Sequence, residues 1–318
     1  MMRRYRLFFS ALVIAALCWF GTLLPCAAAA ADPGRSLSST GFETPQAAAV
    51  ALVAAVRSGD TKRIEKVLGP LSTKLVRSGD PVDDARARER FLAAYDRQSK
   101  IEQDGNAKAT LLIGEKDWPF PMPLIKEAER WRFDVEAGSN EVINRRIGRN
   151  ELGTIQVCLA YVDAQREYAA TQGNVDGLHR YAAKFVSAPG KKDGLYWPTE
   201  DGQPASPLGP LAAKAKEEGY GKSKNAQQEP YHGYLYRILT AQGPDAPGGA
   251  YDYVVKGKMI GGFALVAYPA RWGASGVMTF IVSHDGAVYQ KNLGARTMAI
   301  ASKMTQFNPD ASWSKAQP

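Results

Sequence analysis

From Thr44 onward the apolar positions recur first at helical and then at strand spacing. "TPQAAAVALVAAVR" carries a wide apolar face made of Val50, Leu52, Val53, Ala54 and Val56. Thr44 suits the N-cap, Pro45 the first turn, and Gly59 of "SGD" the left-handed stop. "TKRIEKVLGP" predicts a shorter second helix, with Ile64, Val67 and Leu68 on one side and Gly69-Pro70 at its end. "DPVDDARARERFLAAYDRQSK" predicts a third, with Phe91, Leu92 and Tyr95 as its apolar side. The period then falls to two. "AKATLLIG" and "RWRFDVE" read as strands, joined by "DWPFPMPLIKEAE". Pro119, Pro121 and Pro123 hold that connection to extended or edge conformations.

Helical spacing returns in "GSNEVINRRIGRNELGTIQVCLAYVDAQREYAA", where Leu152, Ile155, Leu159 and Val162 share a face. Gly148 and Gly153 each weaken this helix by about 1 kcal/mol relative to alanine, which places a domain boundary near Gly148. A loop-rich stretch, "SAPGKKDGLYWPTEDGQPASPLGPL", precedes a short helix in "LAAKAKEEGYG". Three strand-like runs follow: "YHGYLYRILTAQ", "KMIGGFALVAYPA" and "GVMTFIVSHDGAVYQKN", the last folded at a tight "HDG" turn. The expected class is α+β. Residues 41–147 form helices plus a small, curved antiparallel sheet, cone-like in outline and similar to the nuclear transport factor fold. Residues 148–294 form a long helix on an antiparallel sheet. The tail 295–318 is polar and expected to be loose.

The start of the chain changes the picture. "MMRRYR" is basic, "LFFSALVIAALCWFGTLLPC" is apolar, and "AAAAADPG" is a run of small residues ending in a turn. That order describes a secretory signal peptide over 1–31, cleaved after Ala29 or Ala31 and followed by a polar linker, 32–40. An uncleaved anchor is the alternative, because the apolar stretch approaches spanning length. A twin-arginine signal fits less well, with Arg6 where an apolar residue belongs, and Pro25 before Cys26 suits a lipoprotein site poorly. The expected location is therefore the periplasm or the exterior, with no membrane span once the signal is removed.

Cleavage removes Cys18 and Cys26, so the lone Cys158 leaves no intramolecular disulfide, and the fold must rest on its apolar core. The apolar content, 45%, is ample for one. The formal charge is +8, and Arg3, Arg4 and Arg6 leave with the signal. The remaining basic residues are dispersed in "RARERF", "NRRIGR" and "GKSKN", without the aromatic interleaving of single-strand binders, so no nucleic-acid partner is expected.

Candidate chemistry is thin. His179, His232 and His284 lie far apart, with none of the H-E-x-x-H spacing a zinc site uses. "GASG" around Ser275 is one residue short of a nucleophile elbow. The glycines of "GGAYDYVVKGKMIGGF" lack the G-K-[ST] ending of a phosphate loop. Asp193, Glu200 and Asp201 cluster in the long loop, and Asp245, Asp252 and Asp285 lie near turns. They are carboxylates of the kind calcium uses, but without calcium-loop spacing. Cys158, between Val157 and Leu159, reads as a small buried hydrophobe. Trp118 and Trp131 are candidates to line an apolar pocket in the first domain. No catalytic, cofactor-binding or metal-ligating residue is assigned, and no cofactor is expected.

Two resemblances add to this reading. Asn150-Glu151, Ile155, Ala164-Gln165 and Tyr168, then Gly233, Tyr234 and Tyr236 of "HGYLYRI", then Ala267, Pro269, Gly273, Ser275-Gly276, Phe280, Gly286 and Tyr289 follow a shared order. It resembles the globular head of type II secretion pseudopilins and type IV pilins. Those families carry an apolar stem before the helix, whereas "EVINRRIGR" here is polar. The resemblance therefore implies a pilin-head fold without the seam that builds filaments. Over residues 42–294, "DWPFPMPL", "WRFDVEAG", "NRRIGRNEL", "DGLYWP", "PYHGYLYRILTAQG" and "GGAYDYVVKGKMIGGFALVAYPA" are similar to the exported bacterial family called domain of unknown function 2950. The expectation is an envelope protein that binds or scaffolds another envelope protein or polymer. The alternatives are a small-ligand binder or enzyme using a cavity in 41–147, or an accessory of a secretion or pilus-like system. N-terminal sequencing of the exported protein should begin at Ala30 or Asp32. A membrane-bound product that keeps Met1 would show an anchor instead.

Overall fold

Helix formation starts where capping chemistry allows it. The Thr44 hydroxyl accepts the Ala47 N–H at 3.1 Å and opens α1 (Pro45–Arg57). Asp60 caps α2 (Thr61–Leu68) in the same way. A 3-10 turn (Pro70–Ser72) leads into α3 (Thr73–Val76), and Asp80 caps α4 (Pro81–Arg97) by accepting from Val82 and Asp83. These features belong to a computed structural model that describes residues 40–175, 177–200, 202–221 and 229–317. The signal peptide, all of the linker but Thr40, and Asp201 lie outside the described residues.

Strands β1 (Ser99–Asp104), β2 (Lys108–Ile113), β3 (Trp118–Pro119), β4 (Leu124–Glu127) and β5 (Arg130–Phe133) form an antiparallel sheet in the order β1-β2-β4-β5, with β3 also on β2. Three of them escape the apolar pattern, β3 being two residues of the proline-rich connection. β1 is exposed apart from half-buried Ile101, so it shows no alternation, and β4 lies inside the segment read as a proline-rich connection. The first core packs Leu52, Val56, Ile64 and Leu68 from α1 and α2 against Leu124, Trp131 and Phe133. Val50, expected on the inner face of α1, is 61% exposed, because Ala48, Ala49 and Leu52 carry that face.

Asp134 then caps α5 (Val135–Thr171), a helix of 37 residues that runs unbroken through Gly148 and Gly153. The boundary expected near Gly148 falls inside it, and the described residues from Thr40 onward belong to one compact unit. The buried stripe holds Ile155, Cys158, Tyr161, Val162, Gln165 and Tyr168, while Leu152, expected on it, is 58% exposed. No helix among the described residues is long and apolar enough to cross a membrane.

The second half continues with β6 (Asn174–Val175), β7 (Leu178–His179), α6 (Gly209–Glu217), β8 (Tyr234–Leu239), β9 (Ala241–Gln242), β10 (Tyr251–Asp252), β11 (Val254–Val255), β12 (Lys258–Met259), β13 (Ala264–Pro269), β14 (Thr279–Ser283), β15 (Val288–Lys291), α7 (Thr297–Ala301), β16 (Gln306–Phe307) and β17 (Ser314–Lys315). The main antiparallel sheet has the order β17-β15-β14-β13-β8. Every residue of β13 and β14 is buried, and α5 packs on this sheet. The "HDG" turn joins β14 to β15, with the Gly286 N–H on the Ser283 carbonyl at 2.9 Å. The architecture is α+β.

The tail corrects an expectation. Far from loose, residues after Gly294 form α7 and two short strands, one beside β15 and one parallel to β9. Ala301 and Phe307 are fully enclosed in the second core. Elements of two to five residues carry no readable period, so their order comes from burial of single side chains.

The motif residues converge on one joint. Asn150 Nδ2 donates to the Ser275 carbonyl at 2.9 Å, and Glu151 Oε1 accepts from the Val277 and Met278 N–H groups, each at 2.9 Å. The Tyr234 hydroxyl donates to the Met278 carbonyl at 2.9 Å. Gly276 has to be glycine here, because a Cβ would lie 2.1 Å from the Tyr234 hydroxyl oxygen. Glu151→Ala strands two backbone donors and should lower unfolding free energy by about 2–3 kcal/mol in urea titration. Leu152→Ala, next to it but exposed, should change it by less than about 0.5 kcal/mol.

Candidate functional site

One side of the first core opens into a solvent-accessible pocket. Between α1, α2, α4 and α5 lies a cavity of about 370 Å³. Asp84, Ala87, Arg88 and Phe91 of α4 line it at helical spacing, so one face of that helix forms a wall. Leu52, Val56, Ile64 and Leu68 supply the opposite wall, and Phe120, Pro121 and Met122 come from the proline-rich connection. Phe120 contacts Phe91 (ring centroids 5.4 Å apart) and meets Phe133 edge-on at 6.0 Å. From α5 come Val142 and Arg146.

Four charged side chains border this apolar space, and two of them, Arg146 and Asp84, are held by backbone. Arg146 is 5% exposed; its Nη1 donates to the Lys74 carbonyl at 3.0 Å and its Nη2 to the Leu75 carbonyl at 2.6 Å. Both carboxylate oxygens of Asp84 accept the Ser78 N–H, at 3.1 and 3.0 Å. Burial pushes the Asp84 carboxyl above its usual range, partly offset by the Ser78 hydrogen bonds and the Arg146 charge. Burial likewise pulls the Arg146 guanidinium down, with Asp84 and Asp83 opposing. A buried charge is tolerated only when its hydrogen bonds are satisfied, and the carbonyls and the Ser78 amide do this here.

The tryptophans expected to line the pocket do not. Trp118 is 61% exposed on the short β3, and Trp131 is buried in the core. The lining aromatics are Phe91 and Phe120. The usable signal was the helical spacing of Asp84, Ala87, Arg88 and Phe91, where charged and apolar residues share one face.

The family described as "Protein of unknown function (DUF2950)" matches residues 39–316. The chain belongs to this family. No curated protein and no solved structure matches it.

In this DUF2950 chain the other candidates fall to structural roles. Cys158 is fully buried, and its thiol is pushed up to about 12. Ser275 Oγ accepts the Arg271 N–H at 3.0 Å and donates to the Arg271 carbonyl at 3.2 Å. His179 Nδ1 lies 3.1 Å from the Ala169 carbonyl, and the His284 ring packs edge-on against Tyr253 and Phe263. His232 and Gly233, at φ 51° and 73°, turn the chain between Tyr231 and Tyr234 as a type I′ hairpin does. The Gly233 N–H and the Tyr220 hydroxyl both reach Asp80 Oδ2, at 2.9 and 2.8 Å. Burial lowers the His232 pKa, and Glu218, 3.9 Å away, opposes this. Asp193 pairs with Lys184 at 2.7 Å, Asp245 accepts from Asn308 at 2.8 Å, and Asp285 faces the His284 ring at 3.5 Å. Glu200 and Asp252 are exposed. Among the described residues no three His, Cys, Asp or Glu side chains group to hold a metal ion.

Because its pKa is raised in the fold, Asp84 contributes stability that is complete below the ordinary carboxylate value of 3.8 and is lost as pH rises through its folded value. Asp84→Asn keeps one acceptor for Ser78 and removes the titration. The variant's unfolding free energy relative to the wild type should therefore increase as pH rises from 3.8, read by chemical denaturation at a series of pH values.

Proposed function

We propose that this is an exported protein that binds a small, largely apolar molecule in the cavity between α1, α4 and α5. One observation carries the reading: a solvent-open, apolar-walled pocket enters the first core between these helices. Protein interiors fill to crystal-like density, so apolar walls that face open space lack dispersion contacts that a bound molecule would supply. The volume of about 370 Å³ falls within the range of small-molecule sites, roughly 300–1,000 Å³. Its walls are hydrocarbon and aromatic with a few fixed polar groups, the usual composition of such sites.

Export is supported by the ordered basic, apolar and small-residue zones of the first 31 residues. Likeness of the second half to a pilin head is part of the same proposal. Its support is a long helix lying on an antiparallel sheet, with Asn150, Glu151, Tyr234 and Gly276 meeting at one joint. In this reading the second half braces α5, and α5 supplies one wall of the cavity.

The test is a fluorescence titration of the mature chain with N-phenyl-naphthylamine, an uncharged probe that brightens in apolar surroundings. Saturable one-to-one binding is expected. Ala87→Trp places an indole in the cavity and should weaken it by about tenfold or more, with circular dichroism unchanged. Absence of saturable binding, or equal binding by a folded Ala87→Trp variant, overturns the reading.

A further inference from the structure

We infer that the cavity takes a single-chain amphiphile with an anionic head, its hydrocarbon chain inside and its head against Arg88. The inference rests on the binding reading above and adds the ligand's chemistry.

Apart from Asp84, Arg88, Arg90 and Arg146, every lining side chain is apolar. The cations therefore outnumber the carboxylate, and their commitments differ. Arg146 is bound to two carbonyls and offset by Asp84. Arg90 pairs with Asp83 at 3.6 Å. Arg88 makes no ion pair and no side-chain hydrogen bond among the described residues. It sits half-buried on the cavity face of α4, one turn from Asp84 and three residues from Phe91. A side chain so placed lays its methylenes along apolar surface and carries its charge at the end. It presents a planar fork of donors suited to a carboxylate or phosphate.

Other ligand classes fit less well. A polyhydroxylated molecule needs many partners, yet the two Asp84 oxygens and the terminal nitrogens of Arg146 already bind backbone. A cationic amphiphile would meet Arg88 as a like charge. A neutral hydrocarbon would cover that guanidinium without replacing the water it loses. An anionic head satisfies the one uncommitted cation while its chain meets the hydrocarbon walls.

The head chemistry is shared by free fatty acids and by lysophospholipids, and separate arms distinguish them. Decanoic acid, decyl alcohol, decylamine and a lysophosphatidylglycerol are each titrated against the bound naphthylamine probe on the mature chain. The wild type should prefer decanoate over the alcohol by about tenfold and over the amine by more. Stronger displacement by decanoate assigns a fatty acid, and stronger displacement by the lysolipid assigns a lipid headgroup. Arg88→Gln should abolish the acid-over-alcohol preference by weakening decanoate about tenfold, and Arg88→Lys should retain part of it. Equal displacement by acid and alcohol, or a preference that survives Arg88→Gln, overturns this inference and leaves apolar binding standing. A wild type that does not bind the probe overturns the binding reading itself.

Discussion

One continuous helix has to serve two cores, and the rest of the structure follows from that constraint. α5 borders the pocket of the first core with Val142 and Arg146 and enters the second core from Ile155. Between Ile143 and Ile155 its buried side chains are polar: Arg146, Asn150 and Thr154. Arg146, Asn150 and Glu151 bond to backbone: carbonyls of α3 on one side, and the segment before β14 on the other. Arg271, from the far side of the joint, donates to the Arg77 carbonyl at 2.8 Å, and Asp80 accepts from Tyr220 and Gly233. Buried polar groups stabilise only when paired, and these pair with main chain whose position is already fixed. The joint is therefore stiff, although it contains two glycines in its helix.

That stiffness bears on the cavity. An apolar pocket narrows when its walls can relax into it, and the volume that remains depends on how far they can move. Here Asp84 holds the loop before α4 through Ser78, and Arg146 holds α3. The aromatic contacts of Phe120 with Phe91 and Phe133 brace the remaining side. The walls are pinned by polar bonds at their edges, so closing the space would break hydrogen bonds inside a low-dielectric interior.

Much of the local structure was legible because capping and turn chemistry act within a few residues. Thr44 and Asp80 open their helices, and the "HDG" turn joins its strands, for reasons visible in the chain. Side-chain exposure was less legible. Leu152 matches the apolar spacing of α5, yet solvent meets it, because the stripe that packs on the sheet also contains Thr154 and Gln165, polar residues fully buried by their own hydrogen bonds. β1 shows no alternation because its sheet face contributes one half-buried residue. The short strands of the tail are too brief for any period. A pocket in 41–147 was among the expectations, but its walls were misplaced for a different reason: Leu52, Ile64 and Phe91 read alike whether they face a packed neighbour or open space. Periodicity reports which way a side chain faces, and only the three-dimensional fit of its neighbours decides whether it touches anything.

The same fit separates folding from recognition. Arg146 and Asp84 are bound to backbone, so a ligand that competed for them would have to replace bonds that hold α3 and α4 in place. Arg88 holds nothing among the described residues, and its helix is fixed by the Asp80 cap and by packing of Phe91. A molecule seated in the cavity can therefore engage Arg88 without loosening the walls. The charges nearest the joint maintain the shape of the site, and the uncommitted charge on α4 remains available for contact with what enters it.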